Sequence, residues 1–161
     1  MSLDARTWVR VQIPLLALTV VWPVAQPLLR LPGELPAAVV WPGRIIGFGL
    51  VIGAAFLFRA ASRVLGEDLV ASPKPRAEGT LRQSGIYAHL RHPIYVAIVG
   101  AICGWSLLWS SGGGLVLTLT GMVFFVFKTQ AEESHLLERY PSYAKYGAAV
   151  PRFLPRLGKH R

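Results

Sequence analysis

The chain is short of charge and nearly without cysteine. Charged residues fill 16% of its 161 positions, against about 25% in ordinary soluble domains. Cys103 stands alone, which excludes an intramolecular disulfide. The four histidines, at 89, 92, 135 and 160, lack the spacing of a zinc site, so no metal is expected. No Lys-Ser/Thr follows the glycines at 112–114, which argues against a phosphate loop. What the chain has in excess is apolar surface: 53% of its residues are aliphatic, aromatic, Met or Cys. A chain this small cannot hide so much inside itself, which argues against a free soluble globule. The same composition rules out disorder, which needs low hydrophobicity.

Four stretches approach the ~20 apolar residues that a bilayer span requires. They are residues 8–29, 39–61, 93–109 and 115–127. Pro14, Pro23 and Pro27 predict kinks or a shortened helix in the first. The third and fourth read as one helical hairpin, with Gly112-Gly113-Gly114 as its tight turn. Arg6 and Arg10 before an apolar run resemble a secretion leader, but no small-x-small cleavage site follows. The first stretch is therefore read as a retained helix. Gly43/Gly47, Gly49/Gly53 and Gly100/Gly104 have the spacing that lets helices approach closely in lipid, within one protomer or across a dimer face.

The net charge of +9 invites a nucleic-acid reading. The distribution of the charge opposes it. With both termini cytoplasmic, the inner segments 1–12, 59–92 and 128–161 hold 15 of the 17 lysines and arginines, leaving Arg30 and Arg44 outside. That is the positive-inside pattern of an even number of spans. Trp41 and Trp109 then fall at the outer interface and Trp8 at the inner one. The expected fold is all-α: an integral membrane protein of about four transmembrane helices with a cytoplasmic C-terminal helical segment. One domain spans 1–161, divided into two N-terminal spans (1–61), a cytoplasmic connector (62–92), a helical hairpin (93–127) and a C-terminal segment (128–161). Within the connector, Ser72-Pro73-Lys74-Pro75-Arg76 reads as a short extended linker.

Two clusters on the inner side carry candidate chemistry. In the first, Pro93 suits the opening position of the third helix, with His92 at its cap and Arg91 alongside. A helix N-terminus beside a cation is a site for a carboxylate or phosphate. Tyr95 lies three residues after His92 and can share its face. The alternative is that Arg91, His92 and Tyr95 only anchor the helix at lipid headgroups. The second cluster follows the fourth span directly: Lys128, Glu132, Glu133 and His135. Lys128 and Glu132 are four apart and share a helix face. Carboxylates at the membrane surface are costly without a partner, and a bound cation would be one. The alternative is a solvated amphipathic extension, with His135 packing or on the surface. Tyr140, Tyr143 and Tyr146 either line a cleft or float the helix at the interface, and the basic tail 152–161 touches anionic lipid.

Together these residues resemble a known family. Ser84-Gly85-Ile86-Tyr87, Arg91-His92-Pro93-Ile94-Tyr95, a helical hairpin, Glu132-Glu133 with Leu136, and Val150-Pro151-Arg152-Phe153-Leu154-Pro155 are similar to isoprenylcysteine carboxyl methyltransferases and the wider group containing phospholipid N-methyltransferases. The likeness covers 79–155. It implies a membrane enzyme using S-adenosylmethionine on a lipophilic small-molecule or lipid substrate within the membrane, and no nucleic acid. It further implies cofactor contacts from Gly79, Thr80, Leu81, Arg82, Tyr87, His92, Pro93, Ile94, Tyr95 and Glu132, with Lys128 and Glu132 at the reacting centre. Lys128 stands where eukaryotic members have arginine, and Ala97 where glycine is common. Sterol reductases that bind NADPH carry a similar Arg-His-Pro-x-Tyr element, usually with Asn at the position of Ile94. A non-catalytic membrane protein is the remaining alternative.

Overall fold

The structure is a computed structural model that describes residues 4–69 and 79–154. The linker at 72–76 and the end of the basic tail lie outside the described residues. Four long helices follow the four apolar stretches: α1 (Ala5–Leu28), α2 (Ala37–Leu65), α3 (Pro93–Leu108) and α4 (Gly112–Arg139). A fifth, α5 (Tyr143–Ala149), is short. Asp4 caps α1 by accepting from the Thr7 amide at 2.9 Å. The three prolines do not shorten α1, which runs 24 residues with all of them inside.

Helix α3 lies between α2 on one side and α1 and α4 on the other. Its seam with α2 is set by glycine. A Cβ on Gly47 would lie 2.6 Å from the Gly104 carbonyl oxygen, and one on Gly104 equally close to that of Gly47. The two backbones therefore touch, as small residues allow in lipid. Gly49 and Gly53 have nothing within 4 Å and do not join the seam.

The hairpin differs from the expected turn. The reversal is made by Trp109, Ser110 and Ser111, with Ser110 at φ 53°. Gly112, Gly113 and Gly114 are already the first turn of α4, where the Ser111 side chain accepts from the Gly114 amide at 2.9 Å. Their smallness serves packing. A Cβ on Gly113 would lie 2.2 Å from Trp22 Nε1, and one on Gly114 2.6 Å from Ser106 Oγ. At this same end buried Gln26 of α1 accepts from the Ser111 hydroxyl and donates to the Pro32 carbonyl at 3.0 Å.

Helices α1, α2 and α4 are long and apolar enough to cross a bilayer, and α3 is a shorter apolar helix. Ile45, Phe48 and Phe56 of α2 and Val116, Leu119 and Val123 of α4 are exposed, as expected of side chains solvated by lipid. The buried hydroxyls of Thr118 and Ser106 are satisfied within their own helices, by the carbonyls of Gly114 and Ile102. The molecule is thus all-helical and compatible with an integral membrane protein. Length decides where the site forms. At ~1.5 Å per residue, α3 measures about 24 Å and α4 about 42 Å, from 16 and 28 residues. Helix α4 overruns the start of α3, so its polar last turns stand beside the α3 N-terminus.

Candidate active site at the start of α3

Three segments meet where α3 begins. The first is the connector, which makes a 3₁₀ turn at Gly85–Ala88 before reaching the cap residue His92. The second is the last third of α4. The third is the strap 150–154 after α5. Pro93 at the first turn of α3 has no amide hydrogen to leave unpaired. The amides of Arg91 and His92 donate to the strap carbonyls of Pro151 (2.9 Å) and Arg152 (3.1 Å). The strap is thereby fixed against the α3 entrance.

Glu132 and Glu133 are successive, so their side chains leave α4 about 100° apart. They meet different partners. Glu133, 6% exposed, is enclosed by two guanidiniums and an imidazole. Its Oε1 lies 3.0 Å from His92 Nε2 and 3.0 Å from Arg91 Nη1. Its Oε2 accepts from Arg152 Nε at 2.9 Å and Nη2 at 2.5 Å, a two-pronged guanidinium pair. Gly147 leaves room for Arg91, since a Cβ there would lie 3.1 Å from Nη1. Hydrogen bonding and the neighbouring carboxylate hold the Arg152 guanidinium above its usual range.

Glu132 is the open member of the pair, its side chain 27% exposed. Oε2 accepts from the Tyr95 hydroxyl at 2.8 Å and lies 3.8 Å from His92 Nδ1. The His92 and Tyr95 rings stack with centroids 5.7 Å apart and 9° between planes. Phe125 continues the stack on Tyr95 at 4.8 Å, and Phe153 of the strap tilts against His92 at 6.1 Å. The Lys128 amine sits 5.4 Å above the Tyr95 ring and donates to Gln12 Oε1 of α1. An open carboxylate, an imidazole nitrogen, aromatic faces and a buried amine are therefore gathered at one end of the bundle.

The structure brings His92, Pro93, Tyr95, Lys128 and Glu132 together, with Ile94 half-buried among them. Tyr87 is buried beside them, and burial raises its phenol well above the ordinary range. Its carbonyl accepts from the Tyr146 hydroxyl at 2.6 Å. Gly79 accepts from the Tyr140 hydroxyl, and Leu81 packs on the core of Tyr143, Tyr146 and Val150. The late tyrosines thus fasten the connector rather than floating a helix. Thr80 is exposed, and Arg82 pairs at 3.0 Å with Asp68 beyond the end of α2. His135 lies half-exposed, 3.8 Å from Glu138. Trp8 is packed edge-on against Phe124 at 5.4 Å and is 7% exposed, so its ring is covered by the bundle.

Arg152 and Gln12 are not singled out by the sequence pattern, in which Glu133 is only the second half of a pair. Gln12 left one signal: a lone carboxamide inside an apolar run.

Residues 43–143 match the family model of phospholipid methyltransferase. The chain belongs to that family. The match contains both clusters and the hairpin between them. Among curated relatives of this phospholipid methyltransferase family member, a methanethiol S-methyltransferase of Pseudomonas deceptionensis is 29% identical over 87% of this chain and 51% of its own length. Mouse protein-S-isoprenylcysteine O-methyltransferase is 34% identical over 69% of this chain and 39% of its own. The cobalt-zinc-cadmium resistance protein CzcN of Cupriavidus metallidurans is 32% identical over 53% and 40%. The chain spans about half or less of the length of these relatives.

Proposed function

We propose that the chain transfers a methyl group from S-adenosylmethionine to the anionic end of a lipophilic acceptor, such as a prenylated carboxylate. The observation carrying this is the division of labour within the glutamate pair. Glu133 is closed by two guanidiniums and the His92 imidazole, whereas Glu132 stays open between His92 and Tyr95. An open carboxylate flanked by aromatic faces suits a cationic, partly apolar guest.

When bound, S-adenosylmethionine supplies a methyl carried on an electrophilic sulfonium. Glu132 would hold its ammonium or ribose, and His92, Tyr95 and the first turn of α3 its amino-acid end. Tyr87 and Gly79, Thr80, Leu81 and Arg82 of the connector would line the remainder. Lys128 would orient the acceptor's negative charge. An ionised acceptor needs no general base, so these groups act by holding two reactants in line and excluding water; such orientation supplies about 7–11 kcal/mol of barrier reduction. An amine acceptor would meet a like-charged group at Lys128. We assign this end to the cytoplasmic face because most lysines and arginines flank it.

A second reading, S-methylation of a thiol, is favoured by the extent of the match to the methanethiol enzyme. The Lys128 amine would serve a thiolate equally well.

Thermal unfolding in detergent tests the reading. S-Adenosylhomocysteine is expected to raise the midpoint and NADPH to leave it unchanged, because a ligand of the native state must stabilise it. Replacing His92 or Glu132 by Ala is expected to abolish the shift. Unchanged affinity in both variants would defeat the assignment. Incubation with methyl-labelled cofactor and membrane lipid extract, or with methanethiol, then separates the two acceptors.

A further inference from the structure

The family match begins at residue 43 and omits α1 entirely. Yet α1 reaches into the candidate site. Gln12 is placed on α1 among Val11, Ile13 and Pro14. A carboxamide in such a run is costly in lipid unless it finds a polar partner, and Gln12 Oε1 accepts from the Lys128 amine. One turn earlier Trp8 wedges against Phe124, one turn before Lys128 on α4. Two contacts therefore hold α1 to α4 where Lys128 lies. Lys128 itself is fully buried, with its amine over the ring of Tyr95, and Tyr95 donates to Glu132. A lysine stem has four rotatable bonds, and its compact head lacks the fork with which arginine fixes its own geometry. A second group must choose the direction of that amine.

We infer that Gln12 is a specificity-determining positioning residue, which aims the Lys128 ammonium so that the site prefers an acceptor with an anionic head. The inference rests on the methyltransferase reading and deepens it by naming what selects the acceptor. Helix α1 then contributes acceptor choice, while α3 and α4 belong to the part shared with the family match.

The test uses the full chain in lipid nanodiscs, saturated with S-adenosylhomocysteine. Two probes are titrated calorimetrically: a farnesyl thioether ending in a carboxylate and its primary-amide analogue. The wild-type chain is expected to bind the acid about tenfold more tightly than the amide, a difference of about 1.4 kcal/mol. Gln12→Leu, which suits the apolar run and preserves the helix, should lose most of that preference with affinity for S-adenosylhomocysteine unchanged. Gln12→Glu should abolish it, because the new carboxylate competes with the probe for Lys128. A merely structural role would weaken both probes and S-adenosylhomocysteine together and leave the acid-to-amide ratio as in the wild-type chain. Retention of the acid preference in both variants, or its absence from the wild type, overturns the inference. Failure of the methyltransferase reading shows separately, as no response of the wild-type chain to S-adenosylhomocysteine.

Discussion

His92 Nε2 lies 3.0 Å from Glu133 Oε1, although 41 residues and a complete helical hairpin separate them in the chain. The contact joins the start of α3 to the end of α4. Arg152 reaches the same carboxylate from the strap, so one buried anion ties three segments.

Glu133 should therefore matter for folding in a way Glu132 does not. Glu133→Ala would leave Arg91, His92 and Arg152 around an empty position, and removing one partner of a buried ionic group costs about 3–5 kcal/mol. Because Arg152 is 38% exposed, the lower end applies. We expect a clear fall in thermal midpoint and accelerated proteolysis after residue 149. Glu132→Gln should melt near the wild-type temperature while losing S-adenosylhomocysteine. Equal destabilisation by both would contradict the division.

The α2–α3 seam predicts a position-specific response to added methyl groups. Gly47→Ala or Gly104→Ala places a Cβ 2.6 Å from the opposing carbonyl, and such overpacking costs about 1–3 kcal/mol. Gly49→Ala and Gly53→Ala meet nothing and should be neutral or slightly stabilising through helix propensity. Denaturation in mixed detergent micelles measures all four, and a uniform response would dismiss the seam.

Burial pushes the Tyr146 phenol up to about 12. A phenol raised above its unfolded value near 10 contributes stability fully present below pH ~10 and lost as pH climbs toward 12. Tyrosinate absorbance at 295 nm should show this late ionisation coinciding with release of the strap. Tyr146→Phe should remove that component and also free the Tyr87 carbonyl it serves. Titration of every tyrosine near pH 10 in the folded chain would refute the burial argument.

At the opposite end, Gln26→Leu should destabilise without touching ligand binding. It strips the Ser111 hydroxyl and the Pro32 carbonyl of a buried partner, a loss of about 1–3 kcal/mol. A lowered midpoint with an intact S-adenosylhomocysteine shift is the expected result, and a lost shift would place the polar knot in the site after all.

The linear pattern of apolar and basic residues was enough to determine four helices, their order, and which ends lie on one side. That information is local: a bilayer requires about 20 apolar residues per span and attracts cations to one face. It also marked His92, Tyr95, Lys128 and Glu132 as candidates, through Pro93 as a helix start and the i, i+4 relation of Lys128 and Glu132. Tertiary structure alone decided which of two adjacent glutamates is closed and which is open, because a 100° step around α4 has no meaning until a partner surface exists. It alone turned Gly112, Gly113 and Gly114 from a turn into a packing surface, since the clash that forbids a side chain there comes from Trp22, Pro23 and Ser106 of other helices or turns. It alone brought Gln12 to Lys128, 116 residues away, because antiparallel helices set neighbours by depth in the membrane and not by distance along the chain.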